Sequence, residues 1–309
     1  AMAMSILKTI AGPFVLVSNC YANIIRSEGK AGMAIIGQLG GNILNVILDA
    51  VLILGFEWNV VGAAIATAVS NMISAAYYIG YFRCGKSMLS IKLKDFSVKD
   101  NIFKGVVSIG VPAALGDILM SVSSIILNGQ MAQYGDMEVA GIGVAMKITM
   151  ITGMICIDFG QGIQPLLGYC IGAKNWNRYK DSLRFSVVFG FGLSIIMTVF
   201  CYLFGYQIVS IFLSEPEALS YGLKFSRILL TTSFLFGLFY VLSNALQAMG
   251  AATAALIINV SRQGLIYIPI IFILKKVLGM YGLIWAQSIA DVLSVILVII
   301  IYHITTKSK

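Results

Sequence analysis

The chain is 309 residues long, 59% hydrophobic and only 11% charged, with a mean hydropathy of +0.92 and a net charge of +8. Soluble domains carry about 25% charged residues, so this composition excludes a water-covered enzyme, a nucleic-acid binder, a disordered chain and a secreted disulfide scaffold. It is the composition of an all-α polytopic membrane protein.

Crossing a bilayer takes roughly 20 helical residues. Nine apolar stretches meet that length, near 5–25, 31–56, 60–82, 105–134, 138–172, 185–213, 220–248, 252–275 and 280–305. Pro13, Pro112, Pro165 and Pro269 fall inside them and predict kinks or partial unwinding. Six of the 21 basic residues lie between Arg83 and Lys104, and four more between Lys174 and Arg184. With Arg26, Lys30, Lys307 and Lys309 they fall on one side of an alternating nine-span chain, whereas Glu57, Asp136, Glu138, Glu215 and Glu217 fall on the other, with Lys275 and Lys276. The positive-inside rule makes the basic side cytoplasmic, and the C-terminus with it. The five cysteines (Cys20, Cys84, Cys156, Cys170, Cys201) form no CxxC pair and indicate neither a disulfide framework nor a metal site, and the lone His303 reads as an interfacial residue.

The chain also matches itself at an offset of about 221: YANIIRSEG aligns with LSNALQAMG, pairing Asn23 with Asn244 and Gly29 with Gly250. After one residue of slippage, the segment ending at Asn71 aligns with that ending at Asp291. Spans one to three therefore correspond to spans seven to nine. A repeat of six spans keeps both copies in one orientation, as in transporters built of parallel halves. Three helices precede the second copy and none the first, which predicts three further helices before Ala1 and a twelve-helix protein of two lobes. On that reading 1–83 is part of the N-terminal lobe, 84–104 the inter-lobe linker and 105–309 the C-terminal lobe.

Polar residues inside the spans locate the chemistry. Gln38, Asn42, Asn45 and Asp49, spaced +4, +3, +4, share one face of span two. Thr67, Asn71 and Ser74 share one face of span three, and Asp49 and Thr67 stand at equal distances from the hairpin turn near Trp58. A carboxylate, an amide and a hydroxyl at one depth suit a small hard cation or a proton. The alternative is that they only bind helices together, although a carboxylate inside a span costs about 2.5–3.5 kcal/mol and seldom serves that purpose alone. Span four repeats the spacing with Asp117, Ser121, Ser124 and Asn128, and span five carries Lys147, Asp158, Gln161 and Gln164. With Gln38, Asn42 and Asn71 these are candidates for a substrate cavity; Lys147 could instead snorkel to a span end. The second repeat lacks an acid equivalent to Asp49 and offers Arg262 and Asp291 at similar depth, read as a structural ion pair.

The segments NIIRSEGKAGMAIIGQLGGNILNVILDAVLILG, VVGAAIATAVSN, SIGVPAALGDILM and GQGIQPLLGYCIGAKNWNR resemble the multidrug and toxic compound extrusion (MATE) family of bacterial type, over essentially the whole chain. The resemblance implies nine of the family's twelve helices, two six-helix lobes around a central cleft, and rocker-switch export of organic, often cationic, compounds in exchange for Na⁺ or H⁺. It implies a cation site in the N-terminal lobe whose Asn, Asp and Thr fall on Asn45, Asp49 and Thr67, its fourth member being an Asp on the family's first helix. It implies no cofactor beyond the coupling ion, and a monomer in the plasma membrane whose partners are drug-like cations and lipid. Rival readings are a lipid-linked oligosaccharide flippase of the same superfamily, an intramembrane enzyme, or a fragment that transports nothing. The flippase would want a cleft richer in cations than Arg262 and Lys147 supply. The enzyme would want a nucleophile–base pair or a metal cluster, which a single histidine does not favour.

Overall fold

The computed structural model describes residues 2–56, 58–84 and 102–307, apart from the side chains of a few of them, Asp117 included. Glu57 and most of the expected linker, 85–101, lie outside the described residues. All regular structure among the described residues is helical. The chain divides into two compact units, Ala1–Val98 and Lys99–Lys309.

The first unit contains α1 (Met2–Ser27), α2 (Ala31–Asp49) continued by a π-helical segment (Ala50–Gly55), and α3 (Asn59–Arg83). Its packing core is Ala22, Ile25, Ala34, Tyr78, Tyr81 and Phe82. α2 meets α3 through buried glycines because nothing larger fits: a Cβ on Gly37 would lie 2.5 Å from the Tyr78 ring, and one on Gly41 would strike the Ser74 hydroxyl. The close approach lets side chains on α3 reach the backbone of α2. Tyr78 Oη donates to Ala34 O at 2.7 Å and Ser74 Oγ to Gly37 O at 3.2 Å.

The second unit contains α4 (Ile102–Met131), α5 (Asp136–Gly172), α6 (Trp176–Leu203), α7 (Gly205–Phe212), α8 (Pro216–Ser233), α9 (Phe236–Ala248), α10 (Ala252–Val260), a second π-helical segment (Ser261–Leu265), α11 (Tyr267–Leu278) and α12 (Met280–Lys307). α5, the longest, packs along α6, α8 and α9. One buried cluster gathers Leu127, Met131, Phe225, Leu229, Tyr267 and Ile284, and another gathers Phe239, Leu242, Ile258 and Val298.

Among the described residues six helices, with α2 and α10–α11 taken through their π-helical segments, are long and apolar enough to cross a membrane, or seven when α8 and α9, bent by 48°, count as one span. The two other expected spans, 5–25 and 105–134, are helical as α1 and α4 but include side chains outside the described set. Two stretches read from sequence as single spans are interrupted. The helix over 185–213 breaks at Phe204 (φ −93°, ψ 12°), where α6 ends and α7 begins. The one over 220–248 bends beyond Ser233, where Ser194 Oγ donates to the freed Phe234 carbonyl at 2.5 Å. α6 and α9 cross just beyond that bend through Gly190 and Gly237, whose backbones touch.

The internal repeat is visible in backbone geometry. Gly29 and Gly250, paired by the sequence offset, both take positive φ, 78° and 70°. Each closes a Schellman cap. Gly29 N donates to Arg26 O and Lys30 N to Ile25 O, and Gly250 N to Gln247 O and Ala251 N to Leu246 O.

The α6–α9 crossing leaves no room for a methyl group between two backbones. Gly237→Ala is expected to destabilise the second unit by about 1–3 kcal/mol, the usual cost of overpacking. A thermal melt in detergent measures this as a lowered midpoint, and an unchanged midpoint would contradict the tight crossing.

Candidate functional site

The α2–α3 hairpin holds the first candidate site. Asn45 and Asp49 stand one turn apart on α2, which widens to π geometry immediately after Asp49. The Asn45 amide satisfies two neighbours in one orientation, assigned from the hydrogen-bond network. Its Nδ2 donates to Asp49 Oδ2 at 3.3 Å and its Oδ1 accepts from the Thr67 backbone N–H at 3.2 Å. Asn45, Asp49 and Thr67 are therefore brought together as the equal-depth argument anticipates. Thr67 takes part through its backbone, because its hydroxyl donates to Ala63 O at 2.9 Å on its own helix. The other carboxylate oxygen, Asp49 Oδ1, is buried and accepts no hydrogen bond among the described residues. Such an oxygen costs free energy unless a proton or a cation occupies it.

The remaining members of the stripe are engaged differently. Gln38 accepts from Arg26 Nη2 at 2.6 Å, tying the end of α1 to α2. Asn42 is exposed, and half-buried Asn71 donates to Thr67 O at 2.8 Å along α3. In the second unit Ser121 is exposed, and Asn128 Nδ2 lies 3.5 Å from Ser124 Oγ. The side chain of Asp117 is outside the described residues. Asp158 and Gln161 are exposed on α5, and Lys147 sits 5.0 Å over the Phe212 ring. Among the described residues, no group of three or more His, Cys, Asp or Glu is placed to hold a metal ion.

The second centre lies between α9, the Ser261–Leu265 segment and α12. Arg262 Nε donates to Asp291 Oδ1 at 3.0 Å, with the two side chains only 8% and 3% exposed. Arg262 Nη1 donates to Tyr240 Oη at 2.7 Å, and Gln287 Nε2 to Asp291 Oδ1 at 3.1 Å. The guanidinium is caged by aromatic rings, with centroids 5.0 Å away at Phe236, 4.6 Å at Phe239 and 5.3 Å at Tyr240. Ser123 on α4 donates to Gln263 O, a carbonyl within the π-helical segment.

Sequence reasoning paired Arg262 with Asp291 but missed Tyr240, its aromatic neighbours, Gln287 and Ser123. The 236/239/240 spacing on α9 and the i, i+4 spacing of Gln287 and Asp291 are readable signals. Ser123 is not, because it stands beside the polar stripe of α4 rather than in it.

The arrangement fits a balanced, fully enclosed ion pair. Removing one partner of a buried pair costs about 3–5 kcal/mol, whereas replacing both with apolar groups can be neutral. Arg262→Met and Asp291→Leu are each expected to lower thermal stability strongly in detergent, and the double variant to recover most of the loss. Additive losses in the double variant would show that the two charges do not act as a pair.

The sequence model of the MatE family matches residues 112–273. The chain is 29% identical over 296 residues to the multidrug export protein MepA of Staphylococcus aureus (strain MSSA476), covering 96% of this chain and 65% of that protein. It is 28% identical over 302 residues to MepA of Staphylococcus haemolyticus (strain JCSC1435), with the same coverage of 96% and 65%. The chain thus spans about 65% of the length of these curated relatives. Among solved structures, an outward-facing conformation of a multidrug resistance MATE family transporter superposes with a TM-score of 0.92 at 22% identity, covering 100% of this chain and 70% of the other. A MATE in complex with MaL6 gives 0.90 at 22% identity, with coverage of 100% and 70%. At these identities the likeness is one of fold.

Proposed function

The chain belongs to the MatE family, and on that premise we propose that it serves a multidrug efflux antiporter, exporting organic and often cationic compounds in exchange for Na⁺ or H⁺. Members of this family are multi-pass membrane transporters and not enzymes. The single observation that carries the antiport reading is Asp49, a carboxylate inside a membrane-spanning helix with one oxygen engaged by Asn45 and the other buried without a partner among the described residues. Asn45, Asp49 and the Thr67 backbone form the loading site, and the ion supplies what Asp49 Oδ1 lacks.

Exchange then follows from differential affinity. An ion that binds Asp49 more tightly in one access state than in the other shifts the transporter towards that state, and drug with the opposite preference shifts it back. The rocker-switch reading, an active monomer in the plasma membrane and a cytoplasmic C-terminus complete the proposal. Support for the orientation comes from Lys174, Arg178, Lys180 and Arg184 gathered at one end of the second unit. Asp158 and Gln161, exposed on α5, are candidates to meet a cationic substrate, with Ser121, Asn128 and Asp117 on α4 and Asn42 and Asn71 in the first unit. Arg262 is committed to Asp291 and Tyr240, which weighs against a flippase that would need it for a pyrophosphate.

Efflux of a fluorescent organic cation from vesicles containing the transporter, under separately imposed Na⁺ and H⁺ gradients, tests the reading. One gradient is expected to drive export, and Asp49→Asn to reduce that component to the level of protein-free vesicles. Gradient-driven export at the wild-type rate in Asp49→Asn would remove Asp49 from the mechanism.

A further inference from the structure

The described residues of α8 carry a polar stripe that the transport reading does not use. Ser220, Lys224, Arg227 and Thr231 are all exposed and spaced +4, +3, +4, so they share one face. The depth of this face follows from the neighbours. α5 runs alongside α8 and α9 in a constant register. Gly141 packs on Tyr221 and Gly222, and Gly160 packs on Tyr240 and Asn244. That register sets Arg227 level with Lys147. α6 runs the other way, with Thr152 Oγ1 3.7 Å from Cys201 Sγ, so its final turn reaches the same level.

Aromatic residues collect there. Tyr202 and Tyr206 are 54% and 60% exposed, Arg227 Cζ lies 5.7 Å over the Tyr202 ring, and Lys147 Nζ lies 5.0 Å over Phe212. From Arg184, in the basic cluster at the other end of α6, to Leu203 is about 28 Å at 1.5 Å per residue, close to the thickness of a bilayer core, about 30 Å. Two levels of cations thus stand one hydrocarbon thickness apart, and the level of Arg227 has the tyrosines of a membrane interface.

The charge on this face is unbalanced. Among the described residues the one ion pair within 4.0 Å is Arg262–Asp291, so Lys224 and Arg227 have no acidic partner there. Lys275, one of two basic residues in the last turn of α11, is by contrast held by Gln130 and Gln133 at 2.6 and 2.5 Å. The acid nearest in sequence on the Lys224 face is Glu217, two turns towards the start of α8.

We propose that this face of α8 binds the phosphate of an anionic phospholipid. Arg227, braced over Tyr202, offers a planar fork of donors that matches phosphate geometry. Lys224 adds a second charge one turn away, and Thr231 lies one turn deeper, towards the acyl chains. The opposing charge comes from the lipid because this level is a bilayer boundary, where a phosphate is available and no acidic side chain among the described residues pairs with the cations. The site is independent of what the chain transports and of the ion it uses.

The test is native mass spectrometry of the protein released from nanodiscs of mixed phosphatidylglycerol and phosphatidylcholine. Wild-type protein should retain phosphatidylglycerol selectively. Lys224→Gln with Arg227→Gln should weaken that retention about ten-fold or more, given the attraction of each basic residue for anionic lipid, while Lys224→Arg with Arg227→Lys keeps it. Equal retention by wild-type protein and the Gln variant would overturn the proposal, as would displacement of the lipid by millimolar inorganic phosphate, which would mark a free-anion site. A Gln variant that fails to fold leaves the wild-type selectivity and the charge-keeping variant as the deciding pair. Loss of selectivity in the charge-keeping variant, with its melting midpoint unchanged, would overturn it too.

Discussion

Inside hydrocarbon a carboxylate or a guanidinium has no water to turn to, and neither has a backbone carbonyl left unpaired where a helix widens. Both costs fall at the same places in this chain. The two π-helical segments among the described residues begin at or next to an ionisable residue inside a span, Ala50–Gly55 directly after Asp49 and Ser261–Leu265 around Arg262. π-helical turns of this kind recur at functional sites, where they re-aim side chains at the expense of regular bonding. In the second unit the protein itself supplies the opposite charge. Asp291, Tyr240 and the rings of Phe236 and Phe239 take the guanidinium, and Ser123 takes a carbonyl of the widened turn. In the first unit the cost is met only in part, because Asn45 covers one oxygen of Asp49 and nothing among the described residues covers the other.

That asymmetry gives the internal repeat its meaning. The two copies keep the parts that shape a hairpin, as the matching caps at Gly29 and Gly250 show. They diverge in what stands between the helices. Glycines at 37 and 41 bring α2 against α3 so that Tyr78 and Ser74 reach backbone carbonyls. The repeat offset sets Arg262 against Gly41 and Asp291 against Asn71, so a charge pair replaces close backbone contact. A charge already paired within the protein suits a fixed joint. An unsaturated carboxylate suits a group that exchanges its partner.

Much of this was legible in the sequence because membrane chemistry leaves few options. Scarce charge in a 59% hydrophobic chain marks interiors and boundaries, so the Asn45–Asp49–Thr67 and Arg262–Asp291 groupings followed from spacing and depth alone. What spacing could not supply was where the helices depart from regular geometry, since the breaks and widened turns fall at none of the four prolines inside the spans. The break at Phe204, the bend beyond Ser233 and both π-helical segments depend on contacts between helices, such as Ser194 with Phe234 O. The hydroxyl of Thr67, assigned to the site from its residue type, is occupied on its own helix, and the backbone amide meets Asn45 instead. The stripe on α8 had the same spacing as those on α2 and α4, but its tyrosine neighbour comes from α6 and only the folded chain brings them together.

The central claim is that a coupling cation loads at Asp49, and infrared difference spectroscopy of the transporter on adding Na⁺ or lowering the pH reads that event most directly. The account predicts a change in the carboxylate stretching bands on loading, with one of the two ions, that disappears in Asp49→Asn. The same change persisting undiminished in Asp49→Asn would contradict it.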